Sequence, residues 1–274
     1  MELNALLASH KAVPSMPKVV ALLMVELDQP EPDVRKVSKL ISADPGLTTR
    51  ILQIANSAFF QLSRSISEVN EAVAILGLVQ VRSLVSAVSL VGTFQVVQGI
   101  NMQQFWRYSL NTAKLSRSLA LKLDQNEATA FTSGLIHCVG ELVMHLGMPE
   151  KMVTLDQEVP PLSLKRARAE RRTFGYCYAS VGAGFARKWN FPQAIVDALE
   201  YQYAPFENDV YEPLAGIIHL SAWRARAKEA NLGDKELAVT FPDTVGLALG
   251  LDIDMVLQQS PIDWTSKAEV NSFA

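Results

Sequence analysis

The chain has 274 residues, and its 49% of hydrophobic against 19% of charged residues is the composition of a folded globular protein, not of a disordered one. The net charge is −3 at pH 7 and the pI is near 5.9, so nucleic-acid binding through phosphate neutralisation is not indicated. Its two cysteines, Cys138 and Cys177, lack CxxC spacing, and the first residues lack the pattern of a signal peptide. We therefore expect a reduced, cytoplasmic protein.

The uncharged stretch from Ser83 to Trp106 is the candidate for a membrane span. Its apolar centre is about 14 residues long and is interrupted by Ser86, Ser89 and Thr93, whereas a helix that crosses a bilayer needs about 20 apolar residues. This length favours a buried helix, and we expect no contact with a membrane.

Signals for helix ends recur in the first hundred residues and predict about five helices with short connections. Pro17 is placed for the first turn of one helix, Asp33 for the N-cap of the next, and Asp44 followed by Pro45 for the start of a third. Gly77 is expected to end a helix in the left-handed conformation that glycine adopts readily. Together these residues predict a compact N-terminal helical lobe.

Longer helical segments follow the polar break around Gly99, and no stretch alternates apolar and polar residues long enough to predict a strand. The predicted segments are 105–123, 127–147, 162–172, 176–189, 192–203 and 212–231, with shorter helices near 244–250 and Met255. The expected fold class is therefore all-α, with two helical lobes packed together. The lobes are predicted at residues 1–98 and 99–260, followed by a frayed tail at 261–274.

One segment, SGLIHCVGELVMHLG from Ser133 to Gly147, concentrates groups that can carry chemistry among apolar residues. On a continuous helix from Leu135 to Leu146, His137, Glu141 and His145 fall at i, i+4 and i+8, opposite an apolar stripe. Ligands at helical i, i+4 spacing bind zinc in metalloenzymes. The same pattern fits the polar side of an ordinary amphipathic helix, because a metal site needs ligands from other helices too.

Seven segments in order resemble the HDOD family, the HD-related output domain of bacterial signalling proteins and a branch of the HD superfamily of metal-dependent phosphohydrolases. They are VPSMPKVVALLMVELDQP, VSKLISADPGLTTRILQIANSAFF, ISEVNEAVAILGLVQVRSLV, FWRYSLNTAKLSRSLA, FTSGLIHCVGELVMH, VGAGFARKWNFPQAIVDALEYQY and PLAGIIHLSAWRARA, covering roughly residues 13 to 230. The resemblance implies a degenerate HD-type helical domain that acts in bacterial signal transduction by binding a protein partner or a small ligand.

The resemblance also assigns positions to the metal ligands of hydrolytic HD proteins. The early histidine falls on Tyr108, the aspartate that follows His137 falls on Cys138, and the last aspartate falls on Ala222. A hydrolytic metal needs several ligands to lower the pKa of a bound water, and one histidine does not supply them. We therefore expect no metal, no cofactor and no catalytic residue, with His137 as the weak candidate for a metal ligand.

Further along the chain, the downstream histidine positions of the family fall on Tyr178 and on Tyr201 or Gln202. Glu141 stands where nucleotide-cleaving relatives carry a lysine, which reverses the charge. These side chains fit either ordinary core positions or a retained polar pocket. The candidates for such a pocket are Tyr108, His137, Cys138, Glu141, Tyr178, Tyr201, Gln202 and His219.

The function that the resemblance implies is a non-catalytic signalling and interaction module. The alternative is a divergent metal-dependent phosphohydrolase that acts on a nucleotide or cyclic dinucleotide, with His137 as the remaining ligand and Glu141 and His219 recruited as catalytic groups.

Two regions are candidates for a partner surface. Apolar side chains near the N-terminal motifs indicate such a surface if they are exposed, although helix capping and packing explain the motifs equally well. The basic run KRARAERR, from Lys165 to Arg172, fits a solvated helix face or a site for an anionic partner. The candidate residues are Met16, Phe59, Phe60, Lys165, Arg166 and Arg168.

Overall fold

The computed structural model describes residues 1–56, 65–206, 211–258 and 264–265. These residues form helices and no strand, so the prediction of an all-α fold is confirmed. The chain divides into an N-terminal unit, Ser15–Gln95, and a C-terminal unit, Met1–Pro14 with Val96–Ser266. Across the described ranges of both units, every helix is too short or too polar to cross a bilayer.

The described residues form α1 (Leu3–Ala8), α2 (Lys18–Leu27), α3 (Val34–Ser42), α4 (Pro45–Ala55), α5 (Val69–Thr93), α6 (Met102–Lys122), α7 (Glu127–Ile136), α8 (Val139–Gly147), α9 (Pro149–Glu158), α10 (Arg166–Phe174), α11 (Tyr178–Lys188), α12 (Gln193–Tyr201), α13 (Pro213–Glu229), α14 (Asp234–Thr240), α15 (Asp243–Leu249) and α16 (Ile253–Leu257).

Helix ends in the N-terminal unit form at the predicted residues. The Asp33 side chain accepts a hydrogen bond from the Arg35 amide at 2.8 Å and so caps α3. The Asp44 carboxylate accepts one from the Leu47 amide at 3.0 Å at the start of α4. Gly77 has a φ of 76°, the left-handed conformation predicted for it. The helical backbone is interrupted there, so α5 consists of two helical stretches separated by a kink.

Helix α13 is the centre of the C-terminal unit and packs against α6, α7, α12, α15 and α16. Its buried residues lie all round the helix, including Ile217, Leu220 and Trp223. Such a helix is covered by protein on every side. The buried polar groups of α13, Ser221 and Arg226, therefore lie in the interior, where they need partners.

The first fourteen residues belong to the C-terminal unit, although the sequence analysis places them in the first lobe. Helix α1 packs against α8 and α11. The Tyr176 hydroxyl donates to the Met1 carbonyl at 2.8 Å, and the Trp189 indole N–H donates to the Pro14 carbonyl at 3.2 Å. These partners lie far along the chain, so sequence patterns near the N-terminus do not show them.

The prediction of one continuous helix through residues 135–146 is wrong. Helix α7 ends at Ile136 and α8 begins at Val139, with His137 and Cys138 as the caps between them. The break separates His137 from Glu141, which lies in α8. Both side chains are buried, so the side that looked polar in the sequence faces the protein interior.

Helices α8 and α11 are in close contact at Gly140. A Cβ atom there would lie 2.0 Å from the Tyr178 carbonyl oxygen and 2.8 Å from the Gly182 amide nitrogen, so only glycine fits. This contact brings the first turn of α11, with Tyr178, beside the break between α7 and α8.

Replacement of Gly140 by alanine is expected to lower the free energy of unfolding by about 1–3 kcal/mol, because the backbone of Tyr178 cannot move aside as a side chain does. Gly182→Ala is the matched control, since the nearest atom to its new Cβ lies at 3.6 Å. The control should match the wild type or slightly exceed it. Urea denaturation measures both, and equal losses would contradict the close helix contact.

Candidate functional site

Tyr108 and His137 are bonded to each other in the interior of the C-terminal unit. The Nδ1 atom of His137 lies 2.7 Å from the Gly134 carbonyl oxygen, which can only accept, so Nδ1 donates. Its Nε2 atom lies 2.6 Å from the Tyr108 hydroxyl and accepts from it. The two residues at assigned metal-ligand positions therefore satisfy each other, and no lone pair of His137 remains for a metal.

Burial fixes the protonation states around His137. It lowers the pKa of His137 from 6.5 to about 3, with a further contribution from the positive charge of Arg226. It raises the pKa of Cys138 to about 12, and the Cys138 sulfur lies 3.3 Å from the Ser109 hydroxyl. At pH 7 the imidazole is neutral and the thiol is protonated.

The cation at this place is the guanidinium of Arg226, on α13. Its central carbon lies 5.5 Å from the centroid of the Tyr108 ring and 5.2 Å from that of the Tyr178 ring. The Arg226 side chain is buried, with 6% of the residue exposed. We refer to Tyr108, His137, Tyr178 and Arg226 as the Arg226 group.

The charge of Arg226 is only partly compensated. Burial raises the pKa of Tyr108 and of Tyr178, so the phenols around Arg226 are neutral at pH 7. Each ring stabilises a desolvated cation by about 2 kcal/mol, whereas burial of an ion costs several kcal/mol. The Nε and Nη2 atoms of Arg226 have no hydrogen-bond acceptor among the described residues, which adds a cost of roughly 1–3 kcal/mol for each N–H group.

Gln202 connects His137 to His219. Its side-chain amide donates to the backbone carbonyl oxygen of His137 at 2.9 Å. The backbone carbonyl oxygen of Gln202 accepts from His219 Nδ1 at 2.7 Å. Gln202 is buried, while Tyr201 at the end of α12 and His219 on α13 are partly buried. Of the two alternatives for this family position, Gln202 is the residue that the structure joins to His137.

Glu141 belongs to a second buried group. Arg166 donates through Nε and Nη2 to the two Glu141 carboxylate oxygens at 3.0 and 3.3 Å, and through Nε to Glu170 at 2.9 Å. Its Nη1 lies 2.8 Å from an Asp156 oxygen. The other Glu170 oxygen accepts from the Tyr178 amide at 2.7 Å. We refer to Glu141, Asp156, Arg166 and Glu170 as the Arg166 cluster. Its contacts join α8, α9, α10 and α11.

The prediction of Arg166 as part of a partner surface is wrong, because the residue is 0% exposed and surrounded by carboxylates. Glu141, predicted for the same pocket as His137, directs its carboxylate to Arg166 instead. Burial and the negative charge of Glu170 raise the pKa of Glu141 well above its ordinary value.

Other residues of the predicted partner surface differ in exposure. Lys165 and Arg168 are exposed, and Met16 is partly buried. Phe59 and Phe60 lie outside the described residues.

The residues around His137 do not fit a hydrolytic metal ion. Over residues 1–56, 65–206, 211–258 and 264–265, no three His, Cys, Asp or Glu side chains converge in a way that could hold one. Tyr108 and His137 bond to each other, and the nearby cation is a guanidinium. A hydrolytic mechanism through bound metal has no ligand set in this part of the chain.

Sequence reasoning missed Arg226 because arginine in a run such as WRARA is typical of a solvated helix face. Its position held a usable signal. Arg226 lies four residues after Ala222, one turn further along the same face of α13. Ala222 is where the resemblance places the last metal-binding aspartate, so that face is expected to line the site.

Substitution of Arg166 by methionine is expected to lower the free energy of unfolding by about 3–5 kcal/mol, because three carboxylates lose their buried cation. The control is Arg187→Met, which removes an ion pair between the largely exposed Arg187 and Glu200 and should cost less than about 1 kcal/mol. Chemical denaturation at pH 7 compares the two, and similar losses would rule out a structural role for the Arg166 cluster.

Stability is expected to fall on acidification through His137. Its pKa is about 3 in the folded protein and near 6.5 in the unfolded chain, so the unfolded chain takes up the proton first. The stabilisation is complete above pH 6.5 and is lost as the pH falls towards 3. We expect the free energy of unfolding to be about 2 kcal/mol lower at pH 5 than at pH 7 from this group alone.

The His137→Gln variant should lose correspondingly less stability between these two pH values, whereas His10→Gln, which alters an exposed histidine, should behave as the wild type. An unchanged pH dependence in His137→Gln would show that the buried imidazole does not act in this way.

Known proteins resemble this chain in sequence and in fold. The profile of the HDOD domain matches residues 13–205. A crystal structure of a Shewanella amazonensis protein, provisionally named a phosphohydrolase, has 27% identity and a TM-score of 0.80, with 98% of each chain covered. An HDOD domain protein of unknown function from Geobacter sulfurreducens has 22% identity and a TM-score of 0.72, covers 100% of this chain and 98% of its own, and shows the same fold.

A protein of uncharacterised function from Treponema pallidum is 25% identical over 216 residues. The matched region is 75% of this chain but spans only 40% of the length of the Treponema protein. Because the HDOD profile matches well over half of the sequence and the helical fold agrees, the chain belongs to the HDOD family.

Proposed function

We propose that the chain is a non-catalytic signal-transduction module of the HDOD type, which acts in bacterial regulation by binding a protein partner or a small ligand. The observation that carries this proposal is the Arg226 guanidinium between the rings of Tyr108 and Tyr178. The positively charged side chain occupies space beside His137 and repels a divalent ion. It therefore disfavours the metal chemistry of hydrolytic relatives.

The residues that a hydrolase would need support the same proposal. His137 Nε2 accepts from Tyr108, the Glu141 carboxylate is bonded to Arg166, and His219 Nδ1 is bonded to a backbone carbonyl. Recruitment of His137 or Glu141 for nucleotide or cyclic-dinucleotide hydrolysis would require these contacts to break, whereas the His219 bond involves Nδ1 only. The Shewanella protein carries the phosphohydrolase name, and that name describes the Shewanella protein only.

The proposed mode of action is a change in helix packing in the C-terminal unit. Helices α6, α11 and α13 each contribute a residue to the Arg226 group. The fourth residue, His137, lies at the break between α7 and α8. A ligand or partner that alters one of these contacts shifts the others, because packed helices have few alternative arrangements. A cytoplasmic location is part of the proposal, and the two free cysteines support it.

Metal content and turnover test the proposal together. Protein purified without chelator should contain far less than one metal ion per chain. With added Mg²⁺ or Mn²⁺ it should hydrolyse a panel of nucleotides and cyclic dinucleotides no faster than buffer does. Wild type, His137→Ala and the control His10→Ala should be indistinguishable. Stoichiometric metal with turnover that is lost in His137→Ala and kept in His10→Ala would establish the hydrolase instead.

A further inference from the structure

Two arginines in the C-terminal unit show how this protein uses one edge of a guanidinium. Arg107 donates from Nε and Nη2 to the two oxygens of Glu229 at 2.8 and 2.6 Å. Arg166 uses the same two atoms for the two oxygens of Glu141. These parallel N–H groups match the spacing of carboxylate oxygens, which makes this edge a two-point receptor.

Arg226 presents the same edge without a carboxylate. Its Nε and Nη2 atoms are buried and have no acceptor among the described residues. Tyr108 and Tyr178 contact the guanidinium through their rings, and Tyr178 is also hydrogen-bonded to it, yet Nε and Nη2 still lack an acceptor. An acceptor with two oxygens in the guanidinium plane would bond to both atoms at once.

The charge of the surroundings sets the charge of that acceptor. The titratable side chains that act on Arg226 are Tyr108 from α6, Cys138 from the break before α8 and Tyr178 from α11, and burial keeps all three neutral. His137 and His219 also interact electrostatically with Arg226. Burial lowers the pKa of each histidine, which favours the neutral imidazole. A single positive charge among neutral groups is balanced by a single negative charge, as carried by a carboxylate.

We propose that Arg226 binds a small carboxylate anion, which bonds to Nε and Nη2 as Glu229 bonds to Arg107. This inference rests on the proposed function, because it treats the Arg226 group as a binding site, and it names the chemical class of the ligand. Since both nitrogen atoms are covered from solvent, the anion reaches them only when the surrounding helices move. Binding is thereby coupled to the packing of α6, α11 and α13.

The test is acetate binding, measured by thermal denaturation and isothermal titration calorimetry with sodium chloride at the same ionic strength as the reference. Acetate should raise the Tm of the wild type in a saturable way. Arg226→Lys should bind acetate at least about tenfold more weakly, because an ammonium group lacks two parallel donors. Arg226→Met should not respond. The control Arg168→Gln, which removes an exposed arginine, should respond as the wild type.

Arg226→Met is expected to fold, because an apolar side chain removes a buried ion that lacks a counter-ion. If it does not fold, Arg226→Lys decides the outcome. No acetate response in the wild type, equal responses in the Arg226 variants, or binding of inorganic phosphate without binding of acetate would each overturn the inference. None of these results would change the conclusion from the metal and turnover measurements. Metal-dependent hydrolysis, in contrast, would refute the proposed function whether or not acetate binds.

Discussion

The positive charge of Arg226, held in the interior of the C-terminal unit, is the constraint on which the candidate site depends. It contributes to the low pKa of His137 and lies against two phenol rings. The titratable groups Tyr108, Cys138 and Tyr178 beside it are neutral at pH 7, so none of them supplies it with a negative charge. The loss of metal ligands and the presence of this arginine are therefore two aspects of one arrangement.

The two most deeply buried arginines of this unit have opposite surroundings. Arg166 is surrounded by Glu141, Asp156 and Glu170, and its charge is used to join four helices. Arg226 has aromatic rings and an unmatched edge. A buried arginine with carboxylate partners needs no ligand, since the protein supplies its counter-ions. The same argument applied to Arg226 leads to a ligand, because the described residues supply none.

Local features of the fold could be read from the sequence, whereas the contacts that fill the site could not. Asp33, Asp44 and Gly77 act through bonds and dihedral angles within a few residues, so their roles are visible in short segments. The break after Ile136 depends on contacts with α6 and α11, and no pattern inside the segment indicates it. Arg166 looked like a surface residue because two of its three acids, Glu141 and Asp156, come from other helices.

The resemblance to HD proteins predicted which positions meet, since Tyr108, His137 and Tyr178 do surround one point. It could not predict what fills that point, because the arginine comes from a position with no assigned role. Helical periodicity shows which face of α13 is relevant, but it does not show whether a basic side chain there meets water or a ring.

The placement of α1 has a consequence for biosynthesis. Met1 and Pro14 find their partners 175 residues further along the chain, so these two contacts cannot form until Tyr176 and Trp189 have been synthesised. In chain order, the N-terminal unit is inserted between the two segments of the C-terminal unit. Loop-closure entropy rises only logarithmically with length, so this separation costs little stability, but it delays the last docking step. During translation, α1 is therefore expected to stay undocked until α11 has been synthesised.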